Sequence, residues 1–219
     1  MITFEDIKKD EAIVTYIKSA DSSLAALGFT EHSFAHVGRV STVAADILSR
    51  LSYDTHTVEL AKIAGYLHDI GNLVNRVDHS QSGAIMAFRI LDRMGMPPED
   101  IATIVTAIGN HDEGSGTPVS PVAAALILAD KSDVRRSRVR NTDISGFDIH
   151  DRVNYSVEKS SLEISVEKRE ITLYLTIDTS ISAIMDYFEI FLARMILCRK
   201  AADKLSLTFR LIINDQRII

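Results

Sequence analysis

The sequence contains a single cysteine, Cys198, among its 219 residues. One thiol cannot form an internal disulfide, so we expect a protein of a reducing compartment. Long apolar runs are missing as well, because the longest strongly apolar stretch, residues 121–129, is far too short to span a bilayer. The first residues lack a basic start followed by an apolar segment, so we expect no signal peptide. These absences predict a cytoplasmic protein that does not act at a membrane.

Basic residues are also fewer than acidic ones. The 24 lysines and arginines are outnumbered by 30 aspartates and glutamates, which gives a formal net charge of −6. A molecule with this balance is not built to coat nucleic acid or anionic lipid, so we expect no long nucleic acid among its partners. Its hydrophobic content of 46% and charged content of 25% are typical of a soluble globular protein with a substantial core.

Helical periodicity dominates the first 140 residues, and strand periodicity appears after them. We predict helices over residues 3–27, 33–51, 58–68, 81–94, 100–109 and 121–134. Strands are predicted within 162–166, 171–177 and 207–214, with a long amphipathic helix over 182–205. The chain is therefore predicted to be mostly α, with a helical domain over 1–140 and an α+β subdomain over 141–219 of about three strands and one long helix. We expect that subdomain to serve packing, dimerisation or sensing, and its long helix makes a homodimer reasonable.

The stretch VELAKIAGYLHDIGN is an amphipathic helix that ends in His68 and Asp69. Gly71 is predicted to stop it by taking the left-handed backbone conformation that caps helices. A buried carboxylate needs a partner, and a metal ion would use both residues. Taken alone, the pair is weak evidence, because a helix-end histidine with a local aspartate hydrogen bond is the commoner arrangement.

Further polar residues interrupt other apolar helices or stand at their ends. These are His36, His79, His111 and Asp130. Each has an ordinary explanation alone, as a core histidine, a turn residue, a solvated helix end or a paired buried aspartate. Together with His68 and Asp69 they form a nitrogen and oxygen ligand set that suits iron, manganese, cobalt, nickel or zinc better than calcium. Six candidates exceed one tetrahedral site, so two ions bridged by Asp69 are plausible.

The order His, His-Asp, Asp in an all-helical frame resembles the HD superfamily of metal-dependent phosphohydrolases. The resemblance spans about residues 31–134 and is carried by the strings HSFAHVGRV, AGYLHDIGN, HSQSGA, NHDEGSGTP and ILADKSD. It implies a helical HD-domain bundle with His36, His68, Asp69 and Asp130 as the core metal ligands. The additional His79 and His111 resemble the second-metal ligands of two branches, the HD-GYP cyclic-dinucleotide phosphodiesterases and the dinucleoside-tetraphosphate hydrolases.

The sequence departs from that pattern at three places. Asn110 precedes His111 where HD-GYP proteins have a histidine pair, which puts a three-metal site in doubt. Asn72 follows HDIG where many relatives have lysine, which removes a phosphate contact. Gly116-Thr117-Pro118 replaces the GYP signature, which weakens the cyclic-dinucleotide assignment.

The resemblance implies a phosphohydrolase that cleaves a phosphomonoester or phosphodiester of a nucleotide-type substrate with a metal-activated water. Asp69 would bridge and orient the metals, and Asp112 or Glu113 could relay a proton. Lys131, Arg135 and Arg138 are predicted to share one helix face and could hold phosphate oxygens, with Lys131 and Arg135 as the clamp, although such a run is more often a solvated face. His32 is interpreted as a contact to a ligand residue or to substrate. The alternatives are a di-iron oxygenase on the same metals, a nucleotide-binding signalling domain without turnover, and a purely structural single-metal site.

Overall fold

A computed structural model of the protein describes residues 2–141, 143 and 146–219. The helices are α1 (Phe4–Lys9), α2 (Glu11–Ala26), α3 (Phe34–Arg50), α4 (Thr55–Leu67), α5 (His79–Arg93), α6 (Pro98–Gly109), α7 (Pro121–Lys131), α8 (Ile149–Ser156) and α9 (Ile184–Lys204). The strands are β1 (Val157–Ser165), β2 (Glu170–Ile177), β3 (Thr208–Ile213) and β4 (Gln216–Arg217). The predicted fold class, mostly α with a C-terminal α+β extension, is confirmed.

Capping residues set where several helices begin. The Thr3 hydroxyl accepts the backbone N–H of Asp6, whose carboxylate in turn accepts the N–H of Thr3, and this reciprocal capping box starts α1. Ser33 starts α3 by accepting a backbone N–H two residues on. At α6, Pro98 occupies the first turn, where its missing N–H costs no hydrogen bond. These local signals are why most predicted helix starts lie within a few residues of the observed ones.

Helix α7 lies at the centre of the helical part of the molecule. All of residues 122–129 are buried, and α3, α4, α6 and α9 pack around the helix. A helix that is apolar on every side is expected to be surrounded by other elements in this way. The last two residues of α7, Asp130 and Lys131, are thereby carried into the interior, where their charges need partners.

The C-terminal sheet has the strand order β1-β2-β3-β4. β1 and β2 are antiparallel, β2 and β3 are parallel, and β3 and β4 are antiparallel. Helix α9 connects the two parallel strands, and one face of the sheet buries Leu173 and Leu211, which are register partners. The prediction of three strands and one helix is corrected in two details: a two-residue strand, β4, and a short helix, α8, are also present. Only Val153 and Ser156 of α8 are buried, so its apolar pattern is too sparse to predict a helix.

The buried apolar residues of α9 and of the sheet belong to the same core as those of the N-terminal helices. The predicted boundary after residue 140 falls beside Thr142, Ile144 and Ser145, which lie outside the described residues. In the part of the chain that is described, no helix has both the length and the apolar character needed to cross a bilayer.

Candidate metal centre

The turn after α4 positions the His68-Asp69 pair. Helix α4 ends at Leu67, His68 caps it, and a 3-10 turn follows over Ile70–Leu73. The predicted left-handed conformation of Gly71 is wrong, because its φ is not among the positive values found at Gly28 and Gly95. Gly71 serves close packing instead: a Cβ there would lie 2.0 Å from the carbonyl oxygen of His79. Because Gly71 has no side chain, α5 packs directly against this turn, and this close packing places His79 next to Asp69.

The first group of candidate ligands surrounds one oxygen of Asp69. His36 Nε2 lies 3.5 Å from Asp69 Oδ2 and 3.4 Å from Asp130 Oδ1. His68 Nε2 lies 3.2 Å and 3.8 Å from the same two oxygens. Two imidazole nitrogens and two carboxylate oxygens from α3, α7 and the turn after α4 thus converge on a single point.

The second group surrounds the other oxygen of Asp69. His79 Nε2 lies 3.5 Å from Asp69 Oδ1, and His111 Nε2 lies 4.0 Å from it. The two imidazole Nε2 atoms are 3.2 Å apart. The Asp69 carboxylate therefore stands between two clusters of imidazole nitrogens and presents one oxygen to each.

Hydrogen bonds fix which nitrogen of each imidazole faces the centre. The Nδ1 atoms of His68, His79 and His111 lie 2.9, 3.1 and 2.6 Å from the backbone carbonyl oxygens of Gly65, Arg76 and Ile108. A carbonyl can only accept, so each Nδ1 carries the proton and donates it. In this tautomer the lone pair is on Nε2, the arrangement found in metal-ligating histidines.

His36 follows the same pattern with a carboxylate as partner. Its Nδ1 lies 2.8 Å from Asp133 Oδ2, and Asp133 is buried. Arg135 holds this carboxylate through contacts of 2.6 and 3.0 Å, and Arg39 Nε contacts it at 3.1 Å. Asp133 thus orients the ring of His36 from the side opposite the centre.

The donor set fits a divalent cation. The Nε2 atoms of His36 and His68 are buried and have no hydrogen-bond partner, an expensive arrangement unless another group binds there. Burial and the Arg138 charge act to lower the pKa of His36, but Asp130, Asp133 and Asp69 outweigh them and raise it to about 9. Positive charge is therefore favoured at this position, as a site for a cation requires.

The other two histidines are held neutral. Burial lowers the pKa of His79, and it lowers the pKa of His111 to well below the usual range. Neutral imidazole is the form that binds metal. Burial would raise the pKa of Asp69, but the surrounding imidazoles, His68 foremost, hold it well below its usual value. Asp69 is therefore a carboxylate at neutral pH and can bridge two cations.

A cavity of about 410 Å³ opens beside the two clusters. Its cationic wall consists of Arg76, Lys131, Arg138 and Arg194. Other lining residues also come from the C-terminal region, with His150 and Asn154 on α8 and Phe191 on α9. The region predicted to serve packing, dimerisation or sensing therefore also lines this cavity.

Most of the predicted site residues meet here. The six predicted ligands come together, and His32, Lys131 and Glu113 line the adjoining cavity. His32 Nε2 lies 4.0 Å from Asp69 Oδ2, and burial keeps the pKa of His32 well below its usual range. Arg135 and Asp112 are not among the described residues of the cavity wall. Helix α7 ends at Lys131, so Arg135 does not continue the predicted helix face and turns to Asp133 instead.

The sequence reasoning missed two residues of the site, Asp133 and Arg194, whereas Arg138, predicted as a possible phosphate contact, lines the cavity. Arg138 is buried and donates to the backbone oxygens of Glu31 and Asp133. Arg194 carried a usable signal: it lies three residues after Phe191 and four before Cys198, both buried, so it interrupts the inward face of α9.

Comparison with known proteins agrees with the ligand pattern. Residues 33–135 match the family model described as the HD domain. This segment, a little under half of the chain, is similar to the HD domain. All six candidate ligands lie within it, whereas His32, Arg138 and Arg194 lie outside it. The predicted resemblance to the HD domain is thus confirmed over this segment, and assignment to a two-metal branch stays a prediction.

Two similar proteins extend the comparison. The chain is 24% identical over 190 residues to an uncharacterized protein of Methanocaldococcus jannaschii, a match that covers 75% of this chain and 72% of that protein. It is also similar to the crystal structure of a predicted HD superfamily hydrolase from an uncultured Thermotogales bacterium. That match has 28% sequence identity and a TM-score of 0.47, and it covers 62% of this chain and 75% of the other.

Proposed function

We propose that this protein is a metal-dependent phosphohydrolase that cleaves a phosphate ester of a small, nucleotide-type substrate. The observation that carries the proposal is the Asp69 carboxylate, with one oxygen 3.2 Å from His68 Nε2 and the other 3.5 Å from His79 Nε2. A carboxylate between two clusters of imidazoles supports a site for two divalent transition metal ions that it bridges. His79 and His111 accordingly support assignment to the two-metal branches of the HD superfamily.

The proposal gives each ligand residue a role. His36, His68, Asp130 and one oxygen of Asp69 would hold the first ion, and His79, His111 and the other oxygen would hold the second. When bound there, such ions lower the pKa of water and neutralise charge on phosphoryl oxygens. The chain's own part is to orient the Nε2 atoms of His68, His79 and His111 towards the centre, through the hydrogen bonds that fix Nδ1.

The cavity supports a small phosphate ester as substrate. Its volume of about 410 Å³ lies in the range of about 300–1,000 Å³ that is usual for small-molecule sites. Four cationic side chains line it, and guanidinium and ammonium groups suit phosphate oxygens. Polar side chains of α8, His150 and Asn154, could hydrogen-bond the rest of a nucleotide. An oxygenase has no need of such a cationic wall, so the cavity favours the hydrolase over that alternative.

The proton relay proposed for Glu113 is not supported by its surroundings. Burial acts to raise the pKa of Glu113, but Lys131 and Arg194 outweigh it and lower that pKa to about 2. A carboxylate with that pKa carries no proton near neutral pH and is a weak base. Asp112 is half-buried and accepts the backbone N–H of Gly114, so its role as a relay stays a prediction.

Elemental analysis of the purified protein tests the metal centre. We expect about two metal ions per chain in the wild type and about one in His111→Ala. His56→Ala is the matched control, because His56 pairs with Asp100, away from the two clusters, and its loss should leave the metal content unchanged. A wild type with one ion or none, unchanged in His111→Ala, would remove His111 from the site.

Turnover is tested separately. The metal-loaded protein is offered nucleoside monophosphates and dinucleotides with manganese or ferrous iron, and release of phosphate or of a nucleotide is measured. Cleavage that is lost in Asp69→Ala, with folding retained, supports the proposal. A protein that holds two ions and cleaves none of these esters would overturn it.

A further inference from the structure

A carboxylate on the cavity wall sits between cations from the two parts of the chain. Glu113 Oε2 lies 2.6 Å from Lys131 Nζ, at the end of α7. Glu113 Oε1 lies 3.4 Å from Arg194 Nη2, on α9. Lys131 belongs to the HD domain, whereas Arg194 lies well beyond it. Glu113 thus joins the two parts across the cavity.

Glu113 does not use the full binding capacity of Arg194. It accepts from a single guanidinium nitrogen, although a guanidinium can donate two parallel hydrogen bonds to an oxyanion. The Nε of Arg194 is buried and has no hydrogen-bond partner. The guanidinium carbon lies 4.3 Å from the centroid of the Phe191 ring, which restrains its position. Arg194 is therefore an ordered cation on the cavity wall, and its Nε–H group is available to donate a hydrogen bond to a ligand.

This pair of cations adjoins the candidate metal centre. Lys131 Nζ lies 2.8 Å from Asp130 Oδ2, and the other oxygen of Asp130 faces His36 at 3.4 Å. The Asp130 carboxylate therefore separates Lys131 from the point at which the first cluster converges, and Glu113 joins Arg194 to Lys131. Lys131, Arg194, Asp69 and Asp130 all line the same cavity, so a phosphate group bound there adjoins both cations and the metal centre.

We propose that Lys131 and Arg194 form a phosphate-binding subsite beside the metal centre, and that Glu113 is an internal anion which the substrate phosphate displaces. The inference rests on the proposed function and narrows its substrate class to phosphomonoesters. A monoester phosphate carries a charge of about −1.5 to −2 and three acceptor oxygens, so it competes well against a carboxylate of charge −1. A diester carries only one negative charge and has no such advantage.

The location of Glu113 permits this exchange. It lies on the connection between α6, which ends at Gly109, and α7, which begins at Pro121. Its backbone is part of a turn rather than of a helix or strand. Moving its side chain out of the subsite therefore breaks no helical hydrogen bond.

Binding of orthophosphate to the full-length, metal-loaded protein, measured by isothermal titration calorimetry, tests the subsite. We expect Glu113→Gln to tighten phosphate binding and Arg194→Gln to weaken it, each by roughly tenfold, the effect of one charge-assisted hydrogen bond. Arg199→Gln is the matched control, because Arg199 is exposed on the same helix. The phosphate affinity of this variant should equal that of the wild type. Arg194→Lys keeps the positive charge and should therefore retain part of the phosphate affinity that Arg194→Gln loses.

The combination of variants keeps the outcomes distinct. In the double variant Glu113→Gln with Arg194→Gln, we expect most of the gain in phosphate affinity from Glu113→Gln to disappear, because Glu113 and phosphate compete for Arg194, which the double variant lacks. Thermal melts and metal content of every variant separate misfolding from lost contacts. Equal affinity of Arg194→Gln and Arg199→Gln, or weaker binding in Glu113→Gln, would overturn the subsite.

Failure of the subsite differs from failure of the proposed function. If the protein cleaves phosphate esters and the Arg194 and Glu113 variants behave like the control, the subsite is wrong and the function stands. If phosphate binding changes as expected but no ester is cleaved, the subsite stands and the hydrolase is wrong.

Discussion

Replacing Asp133 tests whether the orientation of His36 determines how tightly the metal centre holds its ion. Asp133 Oδ2 accepts from His36 Nδ1 at 2.8 Å, and Arg135 and Arg39 contact the same carboxylate. Asp133→Asn keeps the size of the side chain but removes its charge and turns one acceptor into an NH₂ donor. That donor faces either the imidazole N–H or a guanidinium, and both of these are also donors.

The expected loss follows from these contacts. Removing the hydrogen-bond partner of a ligating histidine lowers metal affinity by about 10- to 100-fold, or about 1.4–2.7 kcal/mol. Asp133→Asn also removes the charge that pairs with Arg135 and Arg39, so the variant should melt at a lower temperature as well. We therefore expect a folded, less stable protein whose affinity for manganese or zinc is at least about tenfold weaker.

Competition with a chelator of known affinity measures the metal dissociation constant, and thermal melts confirm folding. Asp46→Asn is the matched control: Asp46 pairs with Arg50 on the exposed surface of α3. An exposed pair of this kind contributes about 0.3–0.5 kcal/mol and does not touch the site. Unchanged metal affinity in a folded Asp133→Asn protein would refute the view that Asp133 positions His36.

Two further predictions concern protons and packing. Although burial and the Arg138 charge oppose it, nearby carboxylates raise the pKa of His36 to about 9, so this histidine is protonated near neutral pH before a metal binds. Metal binding should then release about one proton per chain, and the affinity for the metal should rise as pH increases towards 9. Calorimetry in buffers of different ionisation enthalpy measures this release, and detection of no released proton would contradict the prediction. Gly71→Ala places a Cβ 2.0 Å from the carbonyl oxygen of His79 and should destabilise the fold, whereas Gly38→Ala meets no atom within 4 Å and should stabilise helix α3 by up to about 1 kcal/mol. Urea denaturation compares the two alanine variants, and equal stabilities would contradict the packing argument.

The ligand set could be predicted because each member breaks a local pattern. His36, His68 and Asp130 stand on or at the end of otherwise apolar helices, and a buried polar group without a reason is rare. The helices themselves follow from periodicity and capping, as at Ser33 and Pro98. These signals depend only on residues close together along the chain, so a single sequence is enough to read them.

The cavity wall could not be predicted in the same way, because it depends on contacts between distant segments. Arg194 meets Glu113 across 81 residues of sequence, and no local pattern encodes that pairing. The position of Arg135 was predicted wrongly for a related reason. The spacing of the basic residues after α7 indicates one continuous helix face, but the helix ends at Lys131, and Arg135 binds Asp133 locally.

The roles of Asn72 and Arg194 suggest how phosphate contacts are distributed in this chain. Asn72, at the position where the resemblance leads one to expect a lysine, donates to Asp69 Oδ1 at 2.9 Å and orients that carboxylate, so it supplies no cation to the cavity. Positive charge enters the cavity from elsewhere, through Lys131 and through Arg194 on the C-terminal helix. If Arg194 provides the contact that Asn72 lacks, Asn72→Lys should restore part of the phosphate affinity lost in Arg194→Gln. No gain in that double variant would mean that positions 72 and 194 serve different groups of the substrate.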